Sequence, residues 1–209
     1  MRQYKQLGTL RFVGAAGLAL IFATSAAFAQ QKPVRIRGTI EKVDGEHLTI
    51  KSREGKDLSV VLPEKARVMA FVKASLADVK VGSYIGVAAM PQPDGSQRAL
   101  SVHIFLPSQR GLAEGFKPWD LKPKSTMTNA AVDTSVKSVD GQVLTLKYKG
   151  GEKKVVVPPG TPIVAYAPGN RSEVKAGAHV IIIAAHPKPD GTLEAPAINV
   201  GRDGVTPPM

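Results

Sequence analysis

Four histidines, His47, His103, His179 and His186, are the residues of this chain best suited to ligate a metal or move a proton, because imidazole does both near neutral pH. No cysteine accompanies them, which excludes disulfide staples, thiolate-ligated zinc, iron–sulfur clusters and a thiol nucleophile. Asp44, Asp94, Asp140 and Asp190 would suit paired acid–base chemistry, but each precedes a glycine. In that setting a short carboxylate side chain serves a turn. No nucleophile elbow and no glycine-rich phosphate loop occurs. The chain therefore reads as non-enzymatic, with no cofactor and no metal site.

The most distinctive chemistry lies around the single tryptophan, Trp119, which has Arg110, Glu114, Phe116 and Asp120 nearby. Two readings fit. In one, Trp119 and Phe116 pack on a neighbouring surface while the polar groups satisfy loose backbone. In the other, Trp119 forms the apolar wall of a ligand or partner groove in which Asp120 or Arg110 orients a polar group. Both require an ordered segment. A second candidate surface is basic: Arg35, Arg37, Lys42, Lys51 and Arg53, with Lys147, Lys149, Lys153 and Lys154 further along. It serves either as solubilising, edge-protecting charge or as an attractor for anionic lipid, polysaccharide or an acidic envelope protein.

The elements that carry these residues are set by an internal repeat. Val43-Asp44-Gly45 recurs as Val139-Asp140-Gly141, Leu48-Thr49 as Leu144-Thr145, and Lys51 as Lys147. The register continues through Val60-Val61-Leu62-Pro63 and Val155-Val156-Val157-Pro158, and closes with Pro93-Asp94-Gly95 against Pro189-Asp190-Gly191. The chain is a duplication of one module. The duplication also weighs the histidines: His47 corresponds to Val143, His103 to Asn199 and His179 to Tyr84, and His186 falls at an insertion. A metal site built into the module would repeat at least one ligand. His103, on the strand face opposite Val102 and Ile104, is expected to be exposed, as is His179.

Within a module, Val34, Ile36 and Ile40 alternate with polar residues up to the Asp44-Gly45 turn, and Leu48 and Ile50 resume the alternation. Strands are further predicted over 58–62, 68–71, 84–89 and 99–105, with one helical turn over 75–79 capped by Ser75. That order predicts an all-β protein of two tandem small OB-like β-barrels, each with a short helical element, over 30–106 and 131–201. Paired meander sandwiches share the same periodicity. An ordered linker is expected over 107–130 and a tail over 202–209.

Of 209 residues, 28 are Lys or Arg and 17 Asp or Glu, and 43% are hydrophobic, a balance that suits a packed core. Aromatic residues make up only 5%, too few to stack successive bases in a basic groove, so nucleic acid is not an expected partner. Arg2, Lys5 and Arg11, an apolar run over 13–23 and Ala27-Phe28-Ala29 form a signal-peptide pattern over 1–29, cleaved after Ala29. The mature chain is then periplasmic, and no later stretch is apolar enough to span a bilayer.

The run Gly38-Thr39-Ile40-Glu41-Lys42-Val43-Asp44-Gly45, the later Asp78-Val79-Lys80-Val81-Gly82 and Asp94-Gly95 resemble the bacterial domain-of-unknown-function family numbered fifty-six sixty-six. The segment joining the modules is similar to that of exported two-module proteobacterial proteins. The resemblance implies an exported OB-like barrel and supplies no reaction or catalytic residue. Some relatives are labelled metal transporter permeases, a role that needs several spanning helices. Together these readings predict a periplasmic binding or accessory protein. Soluble metal handling and binding to an anionic lipid or polysaccharide surface are the alternatives.

Overall fold

The structure is a computed structural model and describes residues 32–139 and 141–209. The signal-peptide segment over 1–29 and Asp140 of the second Asp-Gly turn lie outside the described residues. The described chain is all-β. Its strands are β1 (Val34–Asp44), β2 (His47–Ser52), β3 (Asp57–Val61), β4 (Arg67–Lys73), β5 (Tyr84–Pro91), β6 (Gln97–Ile104) and β7 (Gly115–Pro118). They continue with β8 (Thr126–Ser138), β9 (Gly141–Tyr148), β10 (Gly151–Val157), β11 (Ile163–Pro168), β12 (His179–Pro187), β13 (Leu193–Glu194) and β14 (Ala197–Gly201). Among the described residues the only helical pieces are short 3-10 turns, and no helix is long and apolar enough to cross a membrane.

Local chemistry explains the hairpins. Gly45 takes φ +60° between Asp44 and His47, the positive φ that a two-residue hairpin loop demands. The Asp94 and Asp190 carboxylates each accept the backbone N–H two residues on, from Ser96 at 3.0 Å and Thr192 at 2.9 Å. They are turn formers, as their Asp-Gly setting predicted.

Closure runs differently from the sequence expectation. β1, β2 and β3 form an antiparallel meander. β3 then pairs in parallel with β13, β13 with β12, and β12 returns to β1. This closes a ring of five strands. A second ring closes through β8, β9, β10, β6 and β5, with β10 parallel to β6. Each ring thus takes a three-strand meander from one repeat and a two-strand hairpin from the other. The barrel boundaries 30–106 and 131–201 are corrected accordingly: neither repeat closes on itself. β-Bulges in β1 at Glu41 and in β8 at Asp133 give the long strands the bend that closure needs.

The cores follow the exchange. One buries Ile40, Ile50 and Leu62 with Ile182, Ile198 and Val200. The other buries Ile85, Val87 and Val102 with Leu144, Leu146 and Val157. Between the rings, β4 pairs antiparallel with β11, setting Phe71 opposite Tyr166, and parallel with β14, while β11 pairs with β6. β4 is buried at Ala70 and Phe71 and β11 at Ile163 and Val164, and these strands join the rings into one 14-stranded sheet.

The 107–130 segment is ordered, holding a 3-10 turn (Pro107–Gln109), β7 and the start of β8. The expected tail is packed instead. Arg37 Nε donates to the Met209 carbonyl oxygen at 2.6 Å, Arg202 Nε to Glu173 at 2.6 Å, and Met209 is 2% exposed. Gly201 permits the turn into this segment, because a Cβ there would sit 1.5 Å from the Val205 carbonyl oxygen.

Candidate functional site

A cavity of about 520 Å³ lies where the rings meet, bounded by Arg35 of β1, His103 of β6, Asn129 and Met127 of β8, and Tyr166 of β11. Phe105, Leu112, Lys117, Trp119, Asp120 and Ile183 complete most of its wall. Its size falls in the range of about 300–1,000 Å³ typical of small-molecule sites. Much of this wall is placed by pairing between the two halves of the chain, β1 with β12, β6 with β11 and β5 with β8.

His103 is the centre of the polar lining. It is 3% exposed, which corrects the expectation of a solvent-facing strand position. While Val102 faces a ring core, the opposite face of β6 meets β11 and not water. The imidazole stands edge-on to Phe105 (centroids 4.7 Å) and to Tyr166 (5.8 Å), and those two rings stack at 5.3 Å. Burial drives its pKa down to about 3, so it is neutral at physiological pH. Burial likewise raises the Tyr166 phenol and pushes Tyr84 up to about 12, Glu114 adding to the latter and Arg110 opposing it.

Gly86 makes the room for this ring. It pairs with His103 across β5 and β6, and a Cβ there would lie 2.0 Å from His103 Cε1 and 2.7 Å from Asn129 Oδ1. The corresponding pair in the other repeat is Ile181 opposite Asn199. There a large side chain faces a small polar one, and Asn199 Nδ2 is satisfied by the Ile181 carbonyl at 3.1 Å. Gly86→Ala is expected to lower stability in urea by about 2 kcal/mol through overpacking. Adding His103→Asn should restore most of that loss. Failure of the second substitution to do so would place the strain elsewhere.

At the other end of the cavity the Arg35 guanidinium lies over the Trp119 ring at 3.7 Å. Asp120 accepts from Arg35 on one oxygen and from Arg37 on the other, each at 2.6 Å. Burial opposes ionisation of Asp120, but the bonds from Arg37 and Arg35 outweigh it and hold the carboxyl below its usual value. Lys117 has its ammonium disfavoured by burial and by Arg35.

Four buried atoms of lining residues have no protein hydrogen-bond partner: Arg35 Nε, His103 Nδ1, Trp119 Nε1 and Asn129 Oδ1. Each such orphan costs about 1–3 kcal/mol, and buried polar groups are rarely left so. Four of the six such atoms among the described residues thus belong to residues of this wall.

Of the sequence candidates, the structure brings Trp119 and Asp120 to the cavity and leaves three elsewhere. Phe116 lies under the Lys153 ammonium at 4.6 Å, Glu114 accepts the Lys149 backbone N–H at 2.8 Å, and Arg110 donates to the Gly82 carbonyl. These three fasten the 107–130 segment to its surroundings. The basic surface is also divided. Arg35 and Arg37 turn to Asp120 and Arg53 Nη2 approaches the Pro207 carbonyl oxygen at 3.4 Å, while Lys42 and Lys51 pair with Asp44 at 3.6 Å and Asp57 at 2.5 Å. His179 Nδ1 lies 2.9 Å from Thr39 Oγ1. Among the described residues no three His, Asp or Glu converge as metal ligands would.

His103, Phe105, Asn129 and Tyr166 were missed as site residues by sequence reasoning. The available signal was the pair of compensating differences between repeats, Gly86 with His103 against Ile181 with Asn199. Comparisons with protein-family models, curated proteins and solved structures give no match.

Proposed function

We propose that this chain is an exported, non-enzymatic binding protein of the bacterial envelope that holds a small molecule in the cavity between its rings. On this reading each ring is an OB-like barrel, since its strand order and its parallel closing pair are those of that fold, and the chain is an exchanged two-module relative of the domain-of-unknown-function family it resembles. The observation that carries the proposal is the cavity itself, apolar and aromatic in its body, with four orphaned polar atoms on its lining residues. A ligand that pairs them recovers desolvation cost that the free protein bears. Catalysis is not favoured, because His103 makes no hydrogen bond to a nucleophile or a carboxylate that would activate or orient it. Attraction to an anionic surface is weakened as a reading by the engagement of Arg35 and Arg37 with Asp120.

Native mass spectrometry of protein isolated gently from periplasm tests this. The expected result is a mass above that of the polypeptide, lost on denaturation. It should also be absent in Ile183→Trp, which fills the cavity from its half-exposed rim. A bare polypeptide mass, together with Trp119 emission unmoved by periplasmic extract, would overturn the proposal.

A further inference from the structure

We infer that the cavity takes an amphipathic monoanion: an apolar body carrying a single carboxylate, sulfonate or phosphate-ester head, with the head at the Arg35–Lys117 end. The inference rests on the cavity-binding reading and adds the charge and polarity of the ligand to it. Three cations, Arg35, Arg37 and Lys117, gather at this end of the cavity against two anions, the Asp120 carboxylate and the chain-end carboxylate of Met209, whose oxygen accepts from Arg37 Nε at 2.6 Å. Asp120 already receives a guanidinium bond on each oxygen, and Lys117 has no ion pair among the described residues. Positive charge is therefore in surplus where the wall is half-buried, which is where an anionic head gains most from it.

The opposite end differs in kind. Lys117 faces Met127 across β7 and β8, and Asn129, two residues further along β8, faces Gly86, which in turn faces His103. Two strand residues span about 7 Å, so the charged and the neutral polar ends are separated by roughly the length of a small apolar body. His103 is neutral and Asn129 uncharged, and no cation lines that end. A second negative charge would be buried there without a partner, at a cost of several kcal/mol, and this limits the ligand to one. The rest of the lining includes Phe105, Met127, Tyr166 and Ile183. Aromatic faces and a pliable thioether of this kind suit an apolar body of variable shape.

The test uses two fluorescent probes that share an aromatic body and differ in charge, 1-anilinonaphthalene-8-sulfonate and the uncharged N-phenyl-1-naphthylamine. Trp119 is the single tryptophan and lines the cavity, so energy transfer from it to a probe reports occupancy of this site. The sulfonate is expected to bind about tenfold tighter than the neutral amine, the difference one charge-assisted contact makes, with the advantage shrinking as salt rises. Decanoate should displace it and decanedioate should not. Lys117→Gln should remove most of the preference of the sulfonate over the neutral probe, and Arg35→Gln provides a second variant on the other cation. Equal affinities for the two probes would overturn the anionic head and leave the cavity reading standing. Displacement by decanedioate as effective as by decanoate would overturn the limit to one charge. No transfer from Trp119 to either probe would overturn both.

Discussion

Cleavage of the chain at a protease site introduced between Ala113 and Glu114 is expected to leave its two fragments bound as a 1:1 complex that elutes at the mass of the uncut protein. Both residues are exposed, and the site falls between the last strand of the first repeat and β7. If the repeats had closed separately, the same cut would release two independent domains. Here each ring's core is built from residues of both halves. The ring built on β1–β3 packs Ile40, Ile50 and Leu62 against Ile182, Ile198 and Val200, and the other ring does the reverse. Burying one Val, Leu or Ile contributes about 1.5–3 kcal/mol, so parting the fragments exposes apolar surface worth tens of kcal/mol before chain entropy is counted. A complex of nanomolar affinity needs only about 12 kcal/mol net. Gel filtration and native mass spectrometry after digestion check this, and two separated folded fragments would show that the exchange does not occur.

Mild acid should destabilise the protein through one buried imidazole. Folded His103 stays neutral down to about pH 3, whereas in the unfolded chain it takes a proton near pH 6.5. Across that window the unfolded state binds more protons, so stability falls as the pH falls, at up to about 1.4 kcal/mol per pH unit. The contribution is complete above pH 6.5. From pH 7 to pH 5 the loss is about 2 kcal/mol, and over the whole window it is on the order of 5 kcal/mol, a large part of the 5–15 kcal/mol typical of a folded domain. Asp120, held low between Arg37 and Arg35, gives up its own contribution only at more acid pH, and comparison with a His103 variant separates this imidazole from the other histidines. Urea denaturation of the wild type and of His103→Asn at pH 7, 6 and 5 measures the difference. The variant should lose about 2 kcal/mol less than the wild type, and identical pH dependence would contradict a buried neutral His103.

The candidate site was legible in the sequence only in part, and the reason differs from residue to residue. Trp119 and Asp120 stood out because a lone tryptophan in a long connection needs something to pack against, and the structure gives Trp119 the Arg35 guanidinium at 3.7 Å. Phe116, Arg110 and Glu114 shared that stretch of sequence but not its destination. β7 alternates its side chains, so Phe116 and Lys117 go to different surroundings, and Glu114 and Arg110 anchor the loop that precedes it. His103 was misplaced because period-two alternation tells only that it lies opposite Val102. Whether that second face meets water depends on what another part of the chain lays over it. Arg35 and Arg37 read as surface charge for the same reason, since their shared partner Asp120 is distant in sequence.

The sequence by itself determined the strands and their turns. Alternation of Val, Ile and Leu with polar residues encodes a half-buried strand, and Asp-Gly encodes the positive φ of a hairpin, both through interactions a few residues in range. What the tertiary structure decided is which hairpin completes which meander. Closure within a repeat and closure across repeats use equivalent strand pairs with the same inward and outward faces, so the hydrophobic pattern is identical for both and cannot choose between them. The choice is made by β4 and β11, which run out extended and pair with each other, Phe71 against Tyr166 at 4.4 Å between ring centroids, and so carry each hairpin to the opposite ring. The cavity depends on that crossing, because Arg35, His103, Tyr166 and Ile183 of its wall come from strands distant in sequence.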